Sequence, residues 1–331
     1  MNARQRFNAC LNFEKPKDRL PTVEWAPWWN KTVERWRNDG LSPDIQNSDL
    51  QDYFGLDPMH NLTIYAIGKG APKPAHHGAP LISDEASYNE LRPFLFTDEM
   101  ITHSVNEAKK LKERHDKGEI IVRIWLDGFF WFPRTLFGIE PHFYAFYDHP
   151  DLMQRMNSEL AEYNIKAMKA VFEVLKPDMV GFAEDMSYNH GPMLSYELFR
   201  EFLLPHYQKV IPFIKENGVK VLVDSDGEIT SMIPWLQEAG IEGAYPLERQ
   251  AGVDVEKIRR AFPGFLMLGG FDKMVLKHGE AAIRKEFERL LPVMKSGGFI
   301  PSMDHQTPPE CSIENYRIYL QLFREYSQKA A

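Results

Sequence analysis

The amino-acid sequence predicts an α/β fold, a TIM-type (β/α)8 barrel that spans residues 1–331 as a single domain. From residue 120 onward, short apolar segments alternate with helical patterns, which is the order of parallel strands joined by helical crossovers. The apolar segments end in acidic residues, as expected where parallel strand ends share one cavity. A chain of 331 residues with 44% apolar content is long enough for one large barrel. An open doubly wound sheet is the alternative fold.

The N-terminal segment predicts a capping helix that leads into the first strand. Residues 2–13 place apolar side chains at helical spacing, namely Phe7, Cys10, Leu11 and Phe13. The stretch from Pro16 to Pro21 then breaks the helix, and PTVEWAP is a short strand candidate.

Tryptophan is concentrated beside this first strand, at Trp25, Trp28, Trp29 and Trp36. Indoles at this density line a pocket for a planar ligand or serve as core and lid packing, and both interpretations stay open. We assign Trp25 and Trp28 to substrate binding as a hypothesis.

Residues 40–118 are predicted to form an irregular insert and a helix over the barrel. From Gly40 to Pro93 the chain mixes short β-like pieces with Gly and Pro turns, a pattern typical of an inserted loop and hairpin region near the barrel mouth. Residues 97–117 follow as a polar helix.

The rest of the chain alternates regularly between strand and helix. The predicted strands are 120–126, 177–185, 219–226, 243–249, 265–272 and 297–305. The predicted helices are 140–175, 195–216, 228–239, 254–261, 279–296 and 312–328. With the first strand and the hairpin region, about eight strands fit.

Composition narrows the class of partner. A net charge of −8 argues against nucleic acid or an anionic membrane, which need a clustered surplus of Lys and Arg. We therefore expect a small-molecule substrate and a protein that is a monomer or a homodimer. The sequence has neither a membrane-length apolar run nor the apolar core of a signal peptide at MNARQRFNAC, so a cytoplasmic location is expected. Cys10 and Cys311 give no disulfide framework and no CxxC metal site.

Acidic residues follow nearly every predicted strand: Glu24, Asp127, Glu184 with Asp185, Asp224 with Asp226, Glu248, Asp272, and Asp304 with His305. Some have ordinary explanations, since Asp272 is typical of a helix N-cap and Glu248 can pair with the adjacent Arg249. The clusters at 184–185, 224–226 and 304–305 are not explained in this way.

Carboxylates crowded into one cavity repel each other and need compensation. The compensating feature is a divalent metal, a cationic ligand, or a proton retained on one acid that then serves as a general acid. Asp224 and Asp226 are two residues apart, which places both side chains on one face of an extended segment, as a shared metal requires. A purely structural network is the remaining interpretation.

The chain resembles the uroporphyrinogen decarboxylase superfamily of TIM barrels, which also includes zinc methyltransferases acting with corrinoid proteins. The resemblance runs through most of the chain, in RQRFNACLNFEKPKDRLP, FAEDMSYNHGPMLSYELFREFLLPHY, VLVDSDGEITSMIPWLQEAGIEGAYPLE, LMLGGFDKMVL and GGFIPSMDHQTPPECSIENY. It implies the barrel fold and an enzyme. The family's histidine near the last strand matches His305.

The true decarboxylases carry Arg-Gln-Ala-Gly-Arg-Tyr after the first strand, where basic groups meet a substrate with many carboxylates. Here that place is VEWAPWWNKTVERW, with Glu24 in place of positive charge. An acid-lined cavity also repels such a substrate. The resemblance therefore favours the methyltransferase-like branch over authentic porphyrinogen decarboxylation.

In the methyltransferases, zinc is held by His-x-Cys and a later Cys. Those positions match Asp224, Asp226 and, for the later Cys, His305 or its neighbour, so the resemblance implies a metal site there, with Glu184 as a further ligand. The expected ion is zinc, although an oxygen and nitrogen ligand set also suits other metals or none. A corrinoid carried on a partner protein is implied in the same way.

The leading functional hypothesis is methyl transfer from a small methylated donor to a corrinoid protein or a thiol acceptor. The alternative is a decarboxylase or lyase acting on a carboxylic acid, with Asp185 or Asp304 as proton donor to a carbanion. A ligand-binding barrel without catalysis is the third hypothesis. The predicted catalytic residues are Asp185, Asp304 and His305, and the predicted substrate-binding residues are Glu24, Trp25, Trp28, Asp127, Arg134, Tyr188 and Glu248.

Overall fold

The computed structural model describes residues 1–26 and 28–331 and contains a curled parallel sheet, as the sequence predicts. In this part of the chain the strands are β1 Met59–Ile64, β2 Ile121–Asp127, β3 Met179–Ala183, β4 Ser187–Tyr188, β5 Gly191–Pro192, β6 Lys220–Asp224, β7 Gly243–Tyr245, β8 Leu266–Leu268 and β9 Phe299–Ile300. The sheet order is β1-β2-β3-β6-β7-β8-β9, and β4 with β5 forms a separate antiparallel pair. The α/β barrel class is confirmed.

The strand register places the acidic strand ends at one level. Asp127 of β2 pairs with Ala183 of β3, which pairs with Asp224 of β6. Since all of these strands are parallel, their carboxyl ends open on the same side of the barrel.

Residues 20–25 lie between β9 and β1, at the position of the eighth strand. The N–H of Asp57 donates to the Thr22 carbonyl on one side, and the N–H of Trp25 donates to Ser302 Oγ on the other. A regular ladder is not formed here because Pro21 has no N–H and the N–H of Thr22 donates to the Asp57 carboxylate. The predicted first strand is therefore a connecting segment that fills the gap without strand pairing.

The helices surround the sheet. In the described residues they are α1 Ala3–Leu11, α2 Asn30–Asn38, α3 Leu50–Tyr53, α4 Glu85–Leu91, α5 Asp98–Asp116, α6 Trp131–Phe137, α7 Ile139–Asp148, α8 Pro150–Phe172, α9 Tyr196–Phe202, α10 Leu204–Glu216, α11 Ile233–Ala239, α12 Val255–Ala261, α13 Glu280–Met294 and α14 Ile313–Ala330. Short 3-10 helices are Asn47–Asp49, Arg92–Phe94, Thr230–Met232, Arg249–Ala251 and Lys273–His278. None of the helices in these ranges is long and apolar enough to cross a membrane.

The predicted helix 140–175 is two helices, α7 and α8. The break falls at His149, immediately before Pro150. The helical conformation is disfavoured for a residue that precedes proline, so the helix breaks at His149. The apolar periodicity continues on both sides of the break, which is why the sequence pattern predicts a single helix.

The region predicted as an insert with a hairpin contains a barrel strand instead. Residues 59–64 form β1, which pairs in parallel with β2, and α5 packs on both strands. The polar residues Asn61 and Thr63 of β1 face the barrel interior. For this reason β1 does not have the continuous apolar sequence of the other strands. The loop after β1 does lie at the carboxyl side, where Ile67 and Leu95 form an isolated antiparallel bridge.

Candidate active site

A cavity of ≈ 430 Å³ opens at the carboxyl ends of the strands. Its lining residues come from the segment after residue 24, β1, β2 and the loops after β3, β6 and β9. They are Trp25, Ala26, Asn61, Thr63, Arg123, Trp125, Asp185, Asp224, Asp226, His305 and Gln306. A cavity of this size suits a small molecule.

Two loops bring the aspartates together. Asp224 is the last residue of β6 and is 8% exposed, and Asp226 follows two residues later. Asp185 follows β3, and its Oδ1 accepts a hydrogen bond of 3.3 Å from the N–H of Asp226. Gly227 has a φ of +86°, and a Cβ there would lie 2.6 Å from the backbone nitrogen of Tyr188. Glycine is therefore needed for the β6 loop to pack this closely on the neighbouring loop.

Burial raises the pKa values of all three cavity aspartates. Burial raises the pKa of Asp224 well above its usual range, the charge of Asp185 raises it further, and Arg123 opposes both effects. Burial, followed by the charges of Glu248 and Asp185, raises the pKa of Asp226 to about 7. Burial also raises the pKa of Asp185. The cavity therefore contains carboxyl groups that can donate a proton.

His305 lies beside this cluster. Its Nε2 is 3.6 Å from Asp226 Oδ2, and its ring meets Trp25 edge-on with 6.1 Å between centroids. Burial and the positive charge of Lys273 lower the pKa of His305, against the charges of Glu248 and Asp185. A neutral imidazole next to Asp226 can relay protons between the cluster and solvent.

We expect Asp226→Asn to stabilise the fold at alkaline pH. A folded-state pKa above the unfolded value means that ionisation costs stability, so the cost is absent below a pH of about 4 and grows until about pH 7. The Asp226 side chain is 39% exposed, so water screens part of the repulsion, and we expect a gain of about 1–2 kcal/mol at pH 8. Urea unfolding at pH 5 and pH 8 measures it. The gain in stability should be smaller at pH 5. It should be absent in the control variant Asp148→Asn, because Asp148 is exposed. An Asp226→Asn protein that is less stable than the native protein at pH 8 would contradict the prediction.

The predicted metal ligands do not form a metal site in this geometry. Glu184 is fully buried, and its carboxylate accepts hydrogen bonds from the N–H groups of Phe129, Phe130 and Trp131 and from the hydroxyl of Tyr207. These donors engage both oxygens, so a metal bound by Glu184 would compete with them, and this ligand stays a prediction. Within residues 1–26 and 28–331, no three His, Cys, Asp or Glu side chains are arranged to hold a metal ion.

Asp304 and Glu248 connect loops around the cavity. Asp304 is fully buried and accepts hydrogen bonds from the N–H groups of Arg249 and Lys273, at 2.9 and 3.1 Å. Lys273 Nζ lies 3.5 Å from both Asp304 and Glu248, and Glu248 also accepts a hydrogen bond from the N–H of Gly227. Neither acid is among the residues that line the cavity; Asp304 holds two loops together, and its role as a proton donor stays a prediction.

Glu24 and Trp28 lie next to the cavity, in an adjoining pocket that shares Trp25 and Asn61 with it. Glu24 accepts hydrogen bonds from the hydroxyls of Tyr319 and Ser302, and burial raises its pKa to about 7. Trp28 packs against Trp36, Phe54 and Tyr316. Of the predicted aromatic pair, Trp25 lines the cavity and Trp28 belongs to this neighbouring aromatic cluster.

Asp127, Arg134 and Tyr188 also lie outside the cavity lining, and their role in substrate binding stays a prediction. The Asp127 carboxylate meets the loop after β1, where the N–H of Ala66 lowers its pKa against the larger effect of burial. Arg134 donates to the carbonyl oxygen of Asp185 at 3.2 Å. Tyr188 is 49% exposed in the β4–β5 pair.

Sequence reasoning missed the residues inside the strands, above all Arg123 and Trp125 of β2 and Asn61 and Thr63 of β1. A signal was present, because Arg123 interrupts the otherwise apolar IIVRIWL segment. In a buried strand a lone charge points toward a polar interior or a ligand.

Comparison with known proteins identifies the family. Residues 136–326 match the family description Uroporphyrinogen decarboxylase (URO-D), which is more than half of the chain. The chain belongs to the URO-D family. This URO-D family protein is 23% identical over 181 residues to the uroporphyrinogen decarboxylases of Rickettsia felis and Rickettsia conorii. The match covers 54% of this chain and 49% of each relative, so the chain spans about half the length of the curated relatives it matches.

A solved structure, a methyltransferase from Methanosarcina mazei, has the same fold as this URO-D family protein. It superimposes with a TM-score of 0.65 at 16% sequence identity, over 98% of this chain and 99% of that one. At this identity the likeness concerns the fold, and it extends over the whole barrel.

Proposed function

We propose that this URO-D family protein is an enzyme that transfers a methyl group from a small methylated donor to a corrinoid protein or a thiol. The observation that carries the proposal is the cluster of Asp185, Asp224 and Asp226, whose carboxyl groups line the cavity and have pKa values raised by burial. A demethylated oxygen, nitrogen or sulfur leaves more readily when an acid protonates it.

The reaction balances with one proton from the cluster. The acceptor, a Co(I) corrinoid or a thiolate, attacks the methyl carbon of the donor, and the bond from that carbon to the heteroatom breaks. The heteroatom keeps the electron pair and takes the proton from Asp224. Asp226 and His305, whose Oδ2 and Nε2 are 3.6 Å apart, then return a proton from solvent to the cluster.

Methyl transfer is favoured over porphyrinogen decarboxylation by what the cavity contains. The solved relative with the same fold is a methyltransferase. The cavity is small, ≈ 430 Å³, and three aspartates line it, which disfavours a large substrate with many carboxylates. Because the described side chains do not fit a metal, no step is assigned to one; the corrinoid of the proposal is carried by a partner protein.

A carboxy-lyase is the second candidate function. The curated relatives that match this chain are decarboxylases, and protonated aspartates can also quench a carbanion. In that reaction the substrate loses CO2 and its carbanion carbon takes the proton. The two candidates differ in products and in the requirement for a methyl acceptor.

We expect purified protein to demethylate at least one small methoxy, methylthio or methylamino compound when cob(I)alamin or a thiol is present. Mass spectrometry of the demethylated product and the methylated acceptor measures the reaction, and the ordinary range of turnover is about 1–10³ s⁻¹. Product should not form without the acceptor, which is the internal control. Acceptor-independent CO2 release would favour the lyase instead. Tight binding without any turnover would favour a ligand-binding barrel, and either result overturns the proposal.

A further inference from the structure

Arg123 lines the cavity as a buried cation that forms no direct ion pair among the described residues, although its charge lowers the pKa of the Asp224 carboxyl group. Its side chain is fully buried, Nε donates to Asn61 Oδ1 at 2.9 Å, and Nη2 donates to the carbonyl oxygen of Trp25 at 3.1 Å. Neither acceptor is charged. Among the described residues Nη1 has no hydrogen-bond partner. A buried guanidinium with an unsatisfied N–H is costly unless a ligand supplies the missing acceptor.

The surroundings hold the guanidinium in place. Its Cζ lies 4.7 Å from the ring centroid of Trp125, 4.9 Å from that of Tyr245 and 5.8 Å from that of Trp25. These three rings stabilise the cation by cation–π interaction and fix its direction. The positive charge of Arg123 repels a cationic substrate at this end of the cavity, so the position beside it suits an anion.

A second unsatisfied donor lies near the first. The Tyr245 hydroxyl is buried without a partner of good hydrogen-bond geometry among the described residues, and Arg123 lies close enough that its charge and a hydrogen bond lower the pKa of this hydroxyl against the larger effect of burial. Gly181 leaves the space for this hydroxyl, since a Cβ there would lie 2.1 Å from Tyr245 Oη. Two donors, one of them charged, thus lie below the aspartate cluster and can bind the same oxygen ligand.

The strand register separates this end of the cavity from the aspartates. Arg123 pairs with Met179, which pairs with Lys220, whereas Asp224 lies four residues further along β6. Four residues correspond to about 13 Å of strand, part of which the long Arg123 side chain spans. A bound molecule therefore meets Arg123 at one end and the proton-donating carboxyl groups at the other.

We propose that Arg123 binds a carboxylate of the substrate, and that the substrate is a small monocarboxylate with its methylated heteroatom at the opposite end. The methylated part of this inference rests on the proposed function; the carboxylate part rests on Arg123 alone. A single negative charge is favoured because the cavity floor has one buried cation, while the mouth is lined by acids that repel a second charge.

Paired probes that differ only in charge test the proposal. They are 4-methoxybenzoate with 4-methoxybenzamide, and methoxyacetate with methoxyacetamide. Titrations follow the fluorescence of Trp25 and Trp125, which line the cavity. We expect at least one carboxylate to bind about 10- to 100-fold more tightly than its amide, as a charged hydrogen bond predicts. Equal affinity within both pairs, or no binding by any probe, would overturn the proposal.

Variants assign the effect to one residue. Arg123→Gln should remove the preference for carboxylate and leave amide affinity unchanged, and Arg123→Lys should retain part of it, because the charge stays and the forked geometry is lost. Arg134→Gln is the matched control, since Arg134 is a cation of the mouth that does not line the cavity, and it should keep the preference. If Arg123→Gln does not fold, two other measurements decide the question. One is the carboxylate preference of Arg123→Lys, and the other is the rise in Tm of the native protein with sodium 4-methoxybenzoate compared with the same concentration of NaCl. No thermal shift of the native protein by methoxybenzoate beyond that of NaCl would count against the site.

The two proposals fail in different ways. Carboxylate binding through Arg123 without methyl transfer would overturn the reaction and keep the anion site. Demethylation of the amides as fast as of the carboxylates would overturn the anion site and keep the reaction.

Discussion

Replacement of Asp224 by Asn lowers kcat by about 10²- to 10⁴-fold, the range expected when a general acid is removed. Asp224 is the most buried of the cavity aspartates, and its pKa is raised well above the usual range by burial and by Asp185. Asparagine preserves the shape and the hydrogen-bonding capacity of the neutral acid but has no proton to give. The affinity for substrate should therefore change much less than kcat. Steady-state kinetics with the best methylated donor, together with binding measurements, separate the two parameters.

Asp272→Asn is the matched control, because Asp272 follows a strand end but caps the 3-10 helix Lys273–His278 instead of lining the cavity. Asparagine caps helices as well as aspartate does, so its kcat should stay within about twofold of the native value. For the native protein, kcat should fall as pH rises through about 7, where Asp226 loses the proton that it passes to the cluster. An Asp224→Asn enzyme with near-native kcat would exclude Asp224 as the proton donor.

The arrangement of strand ends could be predicted from sequence because it depends on local pattern. Apolar segments of strand length marked β2, β3 and β6, and parallel strands place their carboxyl ends together whatever the loops do. This is why Asp224, Asp226 and His305 were expected in one place and are found lining one cavity. The same logic located Asp185 beside them.

The direction of adjacent acidic side chains could not be predicted. Of Glu184 and Asp185, the first faces the backbone of the loop after β2 and the second faces the cavity. Of Asp304 and His305, the first is held by two loop N–H groups and the second lines the cavity. Asp185 has a φ of +41°, a conformation that few residues other than glycine adopt. The alternation of side chains along an extended strand therefore does not give the directions of Glu184 and Asp185.

Arg123 was missed for a different reason. Functional residues are expected at strand ends, whereas Arg123 lies in the middle of β2, and its register partners Asn61 and Met179 are 62 and 56 residues away in sequence. Trp125 lies two residues along the same strand, but Trp25 and Tyr245, which also surround the guanidinium, come from two distant segments. Such long-range convergence leaves no local pattern.

Glu184→Ala should destabilise the protein by about 3–5 kcal/mol. The carboxylate of Glu184 accepts hydrogen bonds from three buried or partly buried N–H groups, at 2.8 Å from Phe129, 2.8 Å from Phe130 and 3.0 Å from Trp131. It also accepts one from the Tyr207 hydroxyl. Alanine leaves all four donors without an acceptor, and each buried donor left unsatisfied costs about 1–3 kcal/mol. Urea unfolding and thermal melts measure the loss, which corresponds to a fall in Tm of about 10 °C for a chain of this size.

The matched control is Glu216→Ala, which truncates an exposed glutamate at the end of α10 and should change stability by less than about 0.5 kcal/mol. Gly128→Ala gives an independent check on the same contact, because a Cβ at residue 128 would lie 2.1 Å from the Glu184 carboxyl carbon and would push the carboxylate away from its donors. Both substitutions at this contact should lower stability without altering the charge of the cavity. If Glu184→Ala were as stable as Glu216→Ala, the carboxylate would not be holding the loop after β2, and Glu184 would be available again as a ligand or catalytic group. A large loss in both Glu184→Ala and Gly128→Ala would establish that the Glu184 carboxylate holds the loop after β2 in place.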